Sequence, residues 1–149
     1  MKSFWIVRTI FVVSSLAFIP VSMPANAQTD HHTMIANVPF GFELGSKHLA
    51  PGKYTISTPI DGVVELRSNS DVAMILTHDG ESSKPTKTAK IVFDRYGDHY
   101  FLRQVWFNPE EKAYLESSES KAEKQAKRSE LASNPRNASN VELALLRLP

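Results

Sequence analysis

From residue 34 onward, apolar and polar positions alternate in short runs, and turn residues separate the runs at intervals of about ten positions. The clearest alternation is at residues 53–58, where Tyr54, Ile56 and Thr58 would share one face of a strand. Runs of this length that are rich in Val, Ile, Thr, Tyr and Phe are typical of all-β domains. The sequence therefore predicts an all-β domain at residues 34–108, a small antiparallel β-sandwich or barrel of about seven strands.

The best-defined pair of predicted strands lies at residues 89–96 and 99–107, on either side of Gly97-Asp98. Two turn residues of this kind between two β runs predict a hairpin with a primed turn. Large side chains occupy both faces of the hairpin, so neither face is plainly the solvent side. Two interpretations stay open: both faces are buried, one of them by the C-terminal segment, or one face forms a ligand groove.

The composition changes near residue 117, where Ala, Glu, Lys and Gln become frequent. Ser120 and Glu123 have the spacing of a capping box, which satisfies the first amides of a helix. Glu123 and Lys127 have the spacing of a favourable i,i+4 ion pair. A charged helix is therefore predicted at residues 117–132.

The apolar face of this predicted helix is thin, because it consists of Ala122, Ala126 and Leu131. Such a face packs weakly, so we expect the helix to lie loosely on the domain or to project from it. A linker follows, and residues 141–148 are apolar again. Their length favours a last strand, with a short helix as the alternative.

Residues 1–27 have the pattern of a cleavable signal peptide. Lys2 and Arg8 give the segment a positive start, and residues 9–19 form an apolar stretch. An uncleaved membrane anchor is the alternative, but the apolar stretch is well short of the roughly 20 residues that span a bilayer. We therefore expect a periplasmic or secreted protein with no stable membrane span after cleavage.

The predicted cleavage site lies between Ala27 and Gln28. Ala25 and Ala27 supply the small side chains that signal peptidase accepts before the cut. Residues 28–33 are polar and are predicted to be a disordered lead-in to the β domain.

Removal of the signal peptide changes the sign of the net charge. The full chain of 149 residues has 17 Lys and Arg against 16 Asp and Glu. The signal peptide contains Lys2, Arg8 and no acid, so 15 basic and 16 acidic residues remain, a net charge of −1. A near-neutral domain lacks the basic patch that attracts nucleic acid or anionic lipid, so we expect neither as a partner.

The chain contains no cysteine. This excludes disulfide bonds, thiol nucleophiles, zinc-thiolate sites and the acylated cysteine of a lipoprotein. The fold must therefore be stabilised by packing.

Three motifs carry a resemblance to known sequences: V-P-F-G-F at residues 38–42, L-A-P-G-K-Y-T-I at residues 49–56, and F-D-R-Y-G-D-H-Y-F-L at residues 93–102 with Trp106 beyond it. Through these motifs, residues 37–106, about half of the chain, resemble a family of small exported bacterial proteins of the acidobacterial type. The resemblance implies a similar exported β domain with a charged helical tail. It implies no activity, cofactor or catalytic residue.

The turn of the predicted hairpin holds the densest set of reactive side chains. Two carboxylates, a guanidinium, an imidazole and two phenols occur within seven positions: Asp94, Arg95, Tyr96, Asp98, His99 and Tyr100. Acid and base groups at such spacing are what a hydrolase would use, with Asp98 and His99 in the catalytic roles. The alternative is a turn whose charges keep it soluble, since a hairpin end alone supplies no oriented nucleophile or oxyanion donors.

Aromatic side chains give a second candidate site. Tyr96, His99, Tyr100 and Trp106 are candidates to line a groove for a glycan or an apolar ligand, because flat rings provide stacking surfaces, although the pattern favours packing of the aromatic side chains in the core. Packing in the core is the alternative, since a small β domain must bury most of its large side chains.

Metal binding is the third candidate. Asp30, His31 and His32 bring a carboxylate next to two imidazoles, a set that suits zinc, copper or nickel. A polar lead-in segment is the alternative. The sequence contains no cofactor-binding motif, so no cofactor is predicted.

These observations favour an exported, non-enzymatic β domain that acts as a binding or structural module in the periplasm or cell envelope. Its partner would be a protein or another envelope component. Two alternatives stay open: a hydrolase-type enzyme that uses Asp98 and His99, and a carrier of a small hydrophobic ligand.

Overall fold

The computed structural model describes residues 33–133 and 139–147, with only the backbone described at Arg147. The predicted signal peptide, the cleavage site at Ala27 and Gln28, and the metal candidates His31 and His32 lie outside the described residues, as does most of the predicted lead-in. Thr33, the last residue of that lead-in, is already part of the first strand.

The described residues form eleven β-strands and one α-helix. In chain order they are β1 (Thr33–Val38), β2 (Phe42–Leu44), β3 (Lys47–Leu49), β4 (Gly52–Ile60), β5 (Val63–Arg67), β6 (Val72–Glu81), β7 (Lys90–Tyr96), β8 (His99–Trp106), β9 (Ala113–Ser117), α1 (Lys121–Ser133), β10 (Ser139–Ala144) and β11 (Leu146–Arg147). The predicted all-β class with a charged C-terminal helix is confirmed. The expected number of strands was too low.

Nine of the eleven strands follow one path, β10-β7-β8-β9-β6-β5-β4-β1-β11, and β6 joins its two halves. β2 lies off this path and pairs with β3 and, in parallel, with β8. Residues 72–76 of β6 pair with β5, whereas residues 77–81 pair with β9. One long strand therefore passes from one half of the sheet to the other, as corner strands do in folded sheets.

The C-terminal segment closes the path. β10 pairs with β7 at one end of the path, and β11 pairs with β1 at the other. Only Leu145 separates these two strands, and its N–H donates to the carbonyl of Ala89 at 2.9 Å. The chain thus links the two ends of the path, and we call the resulting folded sheet the barrel; β10 covers the edge of β7, and β11 covers part of the edge of β1.

Aromatic and branched side chains fill the interior of the barrel. Phe42, Ile56 and Phe93 are each at most 1% exposed. The rings of Phe42 and Phe93 meet edge to face with centroids 5.1 Å apart, and Tyr54 meets Phe42 at 5.4 Å. Truncation of such a phenylalanine to alanine costs about 3–5 kcal/mol, so these rings stabilise the domain in place of disulfides.

The β7–β8 hairpin contains a bulge at Arg103. Val92 lies opposite Gln104 and Phe93 lies opposite Leu102, so Arg103 is an extra residue without a partner on β7. A β-bulge redirects the side chains around it. This bulge shifts the alternation of the residues that follow, so Val105 lies in the core, whereas Arg103 stays on the outer face with Phe101 and Asp94.

Helix α1 begins later than predicted, because Ser117 is still part of β9. The N–H of Glu123 donates to the Ser120 hydroxyl at 3.1 Å, so Ser120 caps the helix. The Glu123 carboxylate does not complete a capping box or pair with Lys127. It contacts Arg103 instead, and Lys127 pairs with Glu119 at 2.7 Å.

The side of α1 that faces the barrel also differs from the prediction. Ala122 is exposed and Leu131 is 46% exposed, so two of the three expected apolar contacts are absent from the packed side. The least exposed positions of α1 are Glu123, Ala126, Lys127 and Glu130. The helix thus lies on the barrel with a mainly charged side.

Across residues 33–133 and 139–147, no helix has the length and apolar character needed to cross a membrane.

Candidate functional site

Strand alternation splits the predicted hairpin cluster between two faces. Asp94 lies opposite Phe101, and Tyr96 lies opposite His99, on the outer face of the barrel. Arg95 lies opposite Tyr100 on the other face. The six candidate side chains therefore do not converge on one site.

Asp98 and His99 are both exposed at the end of the hairpin. Within the described residues, neither side chain makes a hydrogen bond or an ion pair, although the His99 ring lies 6.5 Å from the Phe101 ring. A general base in a hydrolase needs a second group that orients it. The described part of the chain brings no such group to His99.

The aromatic candidates are packed against other side chains. Tyr96 is 6% exposed, and Tyr100 stacks on Phe40 with a centroid distance of 3.9 Å. Trp106 is also 6% exposed and stacks on Tyr114 at 4.6 Å. These rings belong to the packing of the domain in the described structure, and none of them forms an open stacking platform.

Arg103 is the centre of a charged cluster that sequence reasoning missed. Its guanidinium donates to Asp94 at 2.7 Å, to the Ser117 carbonyl at 2.8 Å and to Glu123. Glu119 lies 3.7 Å from the same guanidinium. We call Asp94, Arg103, Glu119 and Glu123 the Arg103 cluster. It joins the β7–β8 hairpin to the end of β9 and to helix α1.

Burial is the largest single influence on the pKa values of Glu123 and Arg103 in this cluster. It raises the pKa of Glu123 above its ordinary value despite the attraction of Arg103, and the negative charges of Asp94 and Glu119 raise it further. Burial acts to lower the pKa of Arg103, but the hydrogen bond to Asp94 and the attraction of Glu123 outweigh it, so this pKa is raised. The geometry is that of a buried ion pair whose desolvation opposes its Coulombic gain.

Hydrogen bonding and burial also shift the pKa values of Glu119, Lys127 and Tyr96. The hydrogen bond from Lys127 lowers the pKa of Glu119, and the same bond raises the pKa of Lys127. Burial raises the pKa of the Tyr96 phenol, and the nearby charge of Asp94 adds to the effect. Tyr96 therefore remains a neutral, packed side chain beside the cluster at physiological pH.

An open cleft of about 480 Å³ adjoins the Arg103 cluster. It is also lined by His78, Glu116, Ser118 and Lys124. The His78 ring lies 3.9 Å from the Glu116 carboxylate, but Ser118 makes no side-chain hydrogen bond within the described residues. The nucleophile-to-base contact of a serine hydrolase is therefore not formed in this cleft.

A second surface feature lies on the outer face of β4, β5 and β6. Ile60, Val63 and Leu76 stand opposite one another across the three strands, and Met74 and Val72 follow along β6. We call these five residues the outer apolar strip. Ile60, Met74 and Leu76 are 61%, 58% and 77% exposed. Single exposed apolar residues are ordinary, but a contiguous set on one sheet face is typical of an interaction surface.

Sequence reasoning could have found the outer apolar strip more easily than the Arg103 cluster. In residues 72–76 both alternating sets are apolar, a pattern that leaves one set outside a barrel. Arg103 gives a weaker signal, since it is a single charge in an apolar strand. Its partners Glu119 and Glu123 are distant in sequence, and no spacing rule connects them.

Across the described residues, no group of three or more His, Cys, Asp or Glu side chains is arranged to hold a metal ion. Comparison with models of known protein families, with curated protein sequences and with solved structures finds no match.

Proposed function

We propose that the chain is an exported, non-enzymatic binding module of the periplasm or cell envelope, and that the outer apolar strip is its contact face for a protein partner. The observation that carries the proposal is the exposure of Ile60, Met74 and Leu76 on one face of paired strands. Burial of one such side chain stabilises a complex by about 1.5–3 kcal/mol before the costs of association.

The charges beside the outer apolar strip favour a protein over a nucleic acid or an anionic lipid surface. Arg67 pairs with Glu65 at 2.9 Å, and Lys47 pairs with Asp71. Both signs are therefore present and locally neutralised. A surface that binds polyanions needs an excess of unpaired cations, whereas a mixed polar rim around an apolar centre is typical of protein interfaces.

The interior and the hairpin support this proposal over the two alternatives. A carrier of a hydrophobic ligand needs free space inside the barrel, and the rings of Phe42 and Phe93 occupy that region. A hydrolase based on Asp98 and His99 needs these side chains to meet further catalytic groups, and both are exposed at the hairpin end.

Export is supported by the sequence of residues 1–27, and intact mass or N-terminal sequencing of the protein recovered from the producing cells tests it. We expect a chain that begins at Gln28. A recovered chain that retains Met1 would contradict the export proposal without touching the proposal for the strip.

Site-specific photocrosslinking tests the contact face. A photoreactive amino acid at Leu76 is expected to give a discrete crosslinked protein in envelope extracts. The control position is Lys53, which is exposed on the same face but away from the strip. Replacement of Met74 by Glu should abolish the Leu76 crosslink, whereas Lys53→Glu should leave it. Equal crosslinking from both positions would contradict the proposal.

A further inference from the structure

The solvent side of helix α1 is basic. Lys121, Lys124 and Arg128 are all exposed, and their spacing of three and four positions places them on one side of the helix. We call these three residues the basic stripe, which extends over about 10 Å along the helix axis. Across residues 33–133 and 139–147, their side chains make no ion pair or hydrogen bond. Three positive charges therefore stand together without partners in the described structure.

The acidic side chains of this segment do not pair with the basic stripe. Glu123 is 2% exposed and faces the barrel. Glu130 has an interaction of its own, and a Cβ added at Gly97 would lie 3.0 Å from its carboxylate, which places that carboxylate at the end of the β7–β8 hairpin. Glu119 pairs with Lys127 at 2.7 Å. The fold thus engages the acids of the segment and leaves the basic stripe exposed.

The net charge of the chain does not reveal this separation of charges. The full chain is near neutral, with a formal net charge of +1, and from such a value we expected no anionic lipid partner. Electrostatic attraction at physiological ionic strength extends over only about 8 Å, so the local arrangement of charges matters more than their total. The basic stripe can therefore attract an anionic surface although the whole chain is near neutral.

An exposed leucine lies beside the basic stripe. Leu131 is 46% exposed and follows Lys124 by seven positions, so the two side chains lie on the same side of α1 two turns apart. Helices that lie on membranes combine cations, which attract anionic headgroups, with apolar side chains that enter the boundary of the acyl chains. The solvent side of α1 has both kinds of group.

We propose that the solvent side of α1 binds a membrane surface of anionic lipids, with the basic stripe at the phosphate headgroups and Leu131 at the boundary of the acyl chains. Two of the three cations are lysines, which act as point charges on flexible stems. Attraction to a charged bilayer requires only exposed charge, whereas recognition of single carboxylates in an acidic protein segment depends on fixed hydrogen-bond geometry. A bilayer therefore fits the basic stripe better than an acidic protein does.

The proposed membrane contact is separate from the outer apolar strip. Helix α1 packs against β7, whereas the strip lies on β4, β5 and β6. The inference therefore does not depend on the protein contact proposed for the strip, and either of the two proposals can fail without the other.

Vesicle flotation of the full chain tests the proposal. One set of vesicles contains phosphatidylglycerol and phosphatidylcholine in equal parts, and the other contains phosphatidylcholine alone. A protein with glutamine at all three positions of the basic stripe should bind the anionic vesicles about 100-fold more weakly than the wild type, because each cation near an anionic bilayer contributes about fivefold. Residues 1–27 are the same in every protein compared, so any lipid binding of theirs cancels.

The matched control has glutamine at Lys53, Lys84 and Lys112. These lysines are exposed outside α1, and they make no ion pair within the described residues, so the change in net charge is the same. The control protein should keep its affinity for the anionic vesicles within about threefold of the wild type. Glutamine has nearly the helix propensity of lysine and arginine, so α1 should stay folded in both proteins, and circular dichroism checks this.

Leu131→Ser distinguishes a membrane from a soluble polyanion. Binding to anionic vesicles should weaken by about threefold to tenfold, because leucine gains free energy when it leaves water for the acyl region. Binding of the same variant to soluble poly-glutamate should not change, since that polymer offers no apolar phase.

Four results would overturn the proposal. They are equal affinity of the wild type for both kinds of vesicle, equal losses in the stripe variant and its control, unchanged vesicle binding of Leu131→Ser, and tighter binding to poly-glutamate than to anionic vesicles at equal charge concentration. The last result would assign the basic stripe to an acidic protein. If the triple variant does not fold, Lys124→Gln and Arg128→Gln are measured singly, with an expected loss of about fivefold each, and no loss in either refutes the proposal.

Discussion

Gly80 of β6 lies beneath the ring of Tyr114, its direct partner on β9. A Cβ added at Gly80 would overlap the ring, and the same ring stacks on Trp106 with centroids 4.6 Å apart. A glycine at this strand position is therefore required by the close approach of an aromatic side chain, as in aromatic rescue of strand glycines.

Substitution of Gly80 by alanine should destabilise the protein by about 1–3 kcal/mol, because Tyr114 must leave its stack with Trp106. Urea unfolding measures this change. In a Tyr114→Ala background the same substitution should cost much less, and the difference is the coupling between the two residues. A Gly80→Ala variant as stable as the wild type would show that the ring moves aside freely.

The alternating pattern was sufficient to predict the class of the fold and its central hairpin. Predicted strands at residues 89–96 and 99–107 are observed as Lys90–Tyr96 and His99–Trp106, with Gly97 at φ 62° in the turn. Alternation within a strand depends on local steric rules, which a single sequence displays.

Three features were not predicted from the sequence, namely β9, the bulge at Arg103 and the charged packing of α1, because they depend on contacts between distant segments. β9 contains Glu116 and Ser117 and is followed by Ser118, so its composition resembles that of a loop. It forms a strand because its backbone pairs with both β6 and β8. The bulge at Arg103 changes which of the later residues of β8 face the core, so Val105 lies inside, and alternation cannot indicate where an extra residue is inserted. The charged packing of α1 depends on contacts of Arg103 with Glu119 and Glu123, which are distant from it in sequence.

Removal of the Arg103 guanidinium tests how much the Arg103 cluster stabilises the protein. Arg103→Leu leaves Asp94 and Glu123 without their cation, and an uncompensated buried charge costs about 3–5 kcal/mol. Arg103→Lys should also destabilise the protein, since one ammonium cannot reach the three acceptors that the planar guanidinium contacts. Chemical unfolding of each variant gives the comparison.

The matched control is Arg67→Leu, which breaks the more exposed pair with Glu65. The Arg67 side chain is 58% exposed, so its loss should cost at most about 1 kcal/mol. Similar losses for Arg67→Leu and Arg103→Leu would contradict the special role of the buried pair.

Two of the three acidic neighbours of Arg103, Glu123 and Glu119, should give pH dependences of opposite sign. The pKa of Glu123 is raised in the folded state by burial, so the stability that this group contributes is present at low pH and is lost as the pH rises through the raised value. Hence the wild type should lose stability relative to Glu123→Gln as the pH increases. Unfolding free energies of both proteins across a pH series measure the slope.

Glu119 supplies the internal comparison for that experiment. The hydrogen bond from Lys127 lowers its pKa, so its contribution is present at neutral pH and is lost as the pH falls through the lowered value. The wild type should therefore lose stability relative to Glu119→Gln as the pH decreases. Two slopes of the same sign would refute the assignment of burial as the dominant effect at Glu123.

Substitution of the helix cap tests whether α1 unfolds separately from the barrel. Ser120 accepts a hydrogen bond from the N–H of Glu123, and Ser120→Ala should cost about 1 kcal/mol. If α1 opens separately from the barrel, this loss should appear as faster hydrogen exchange of the α1 amides, while the amides of β4 and β5 keep their protection. Ser118→Ala is the control, because Ser118 is exposed and precedes the cap. Equal acceleration of exchange in α1 and in β4 would show that the helix unfolds only together with the barrel.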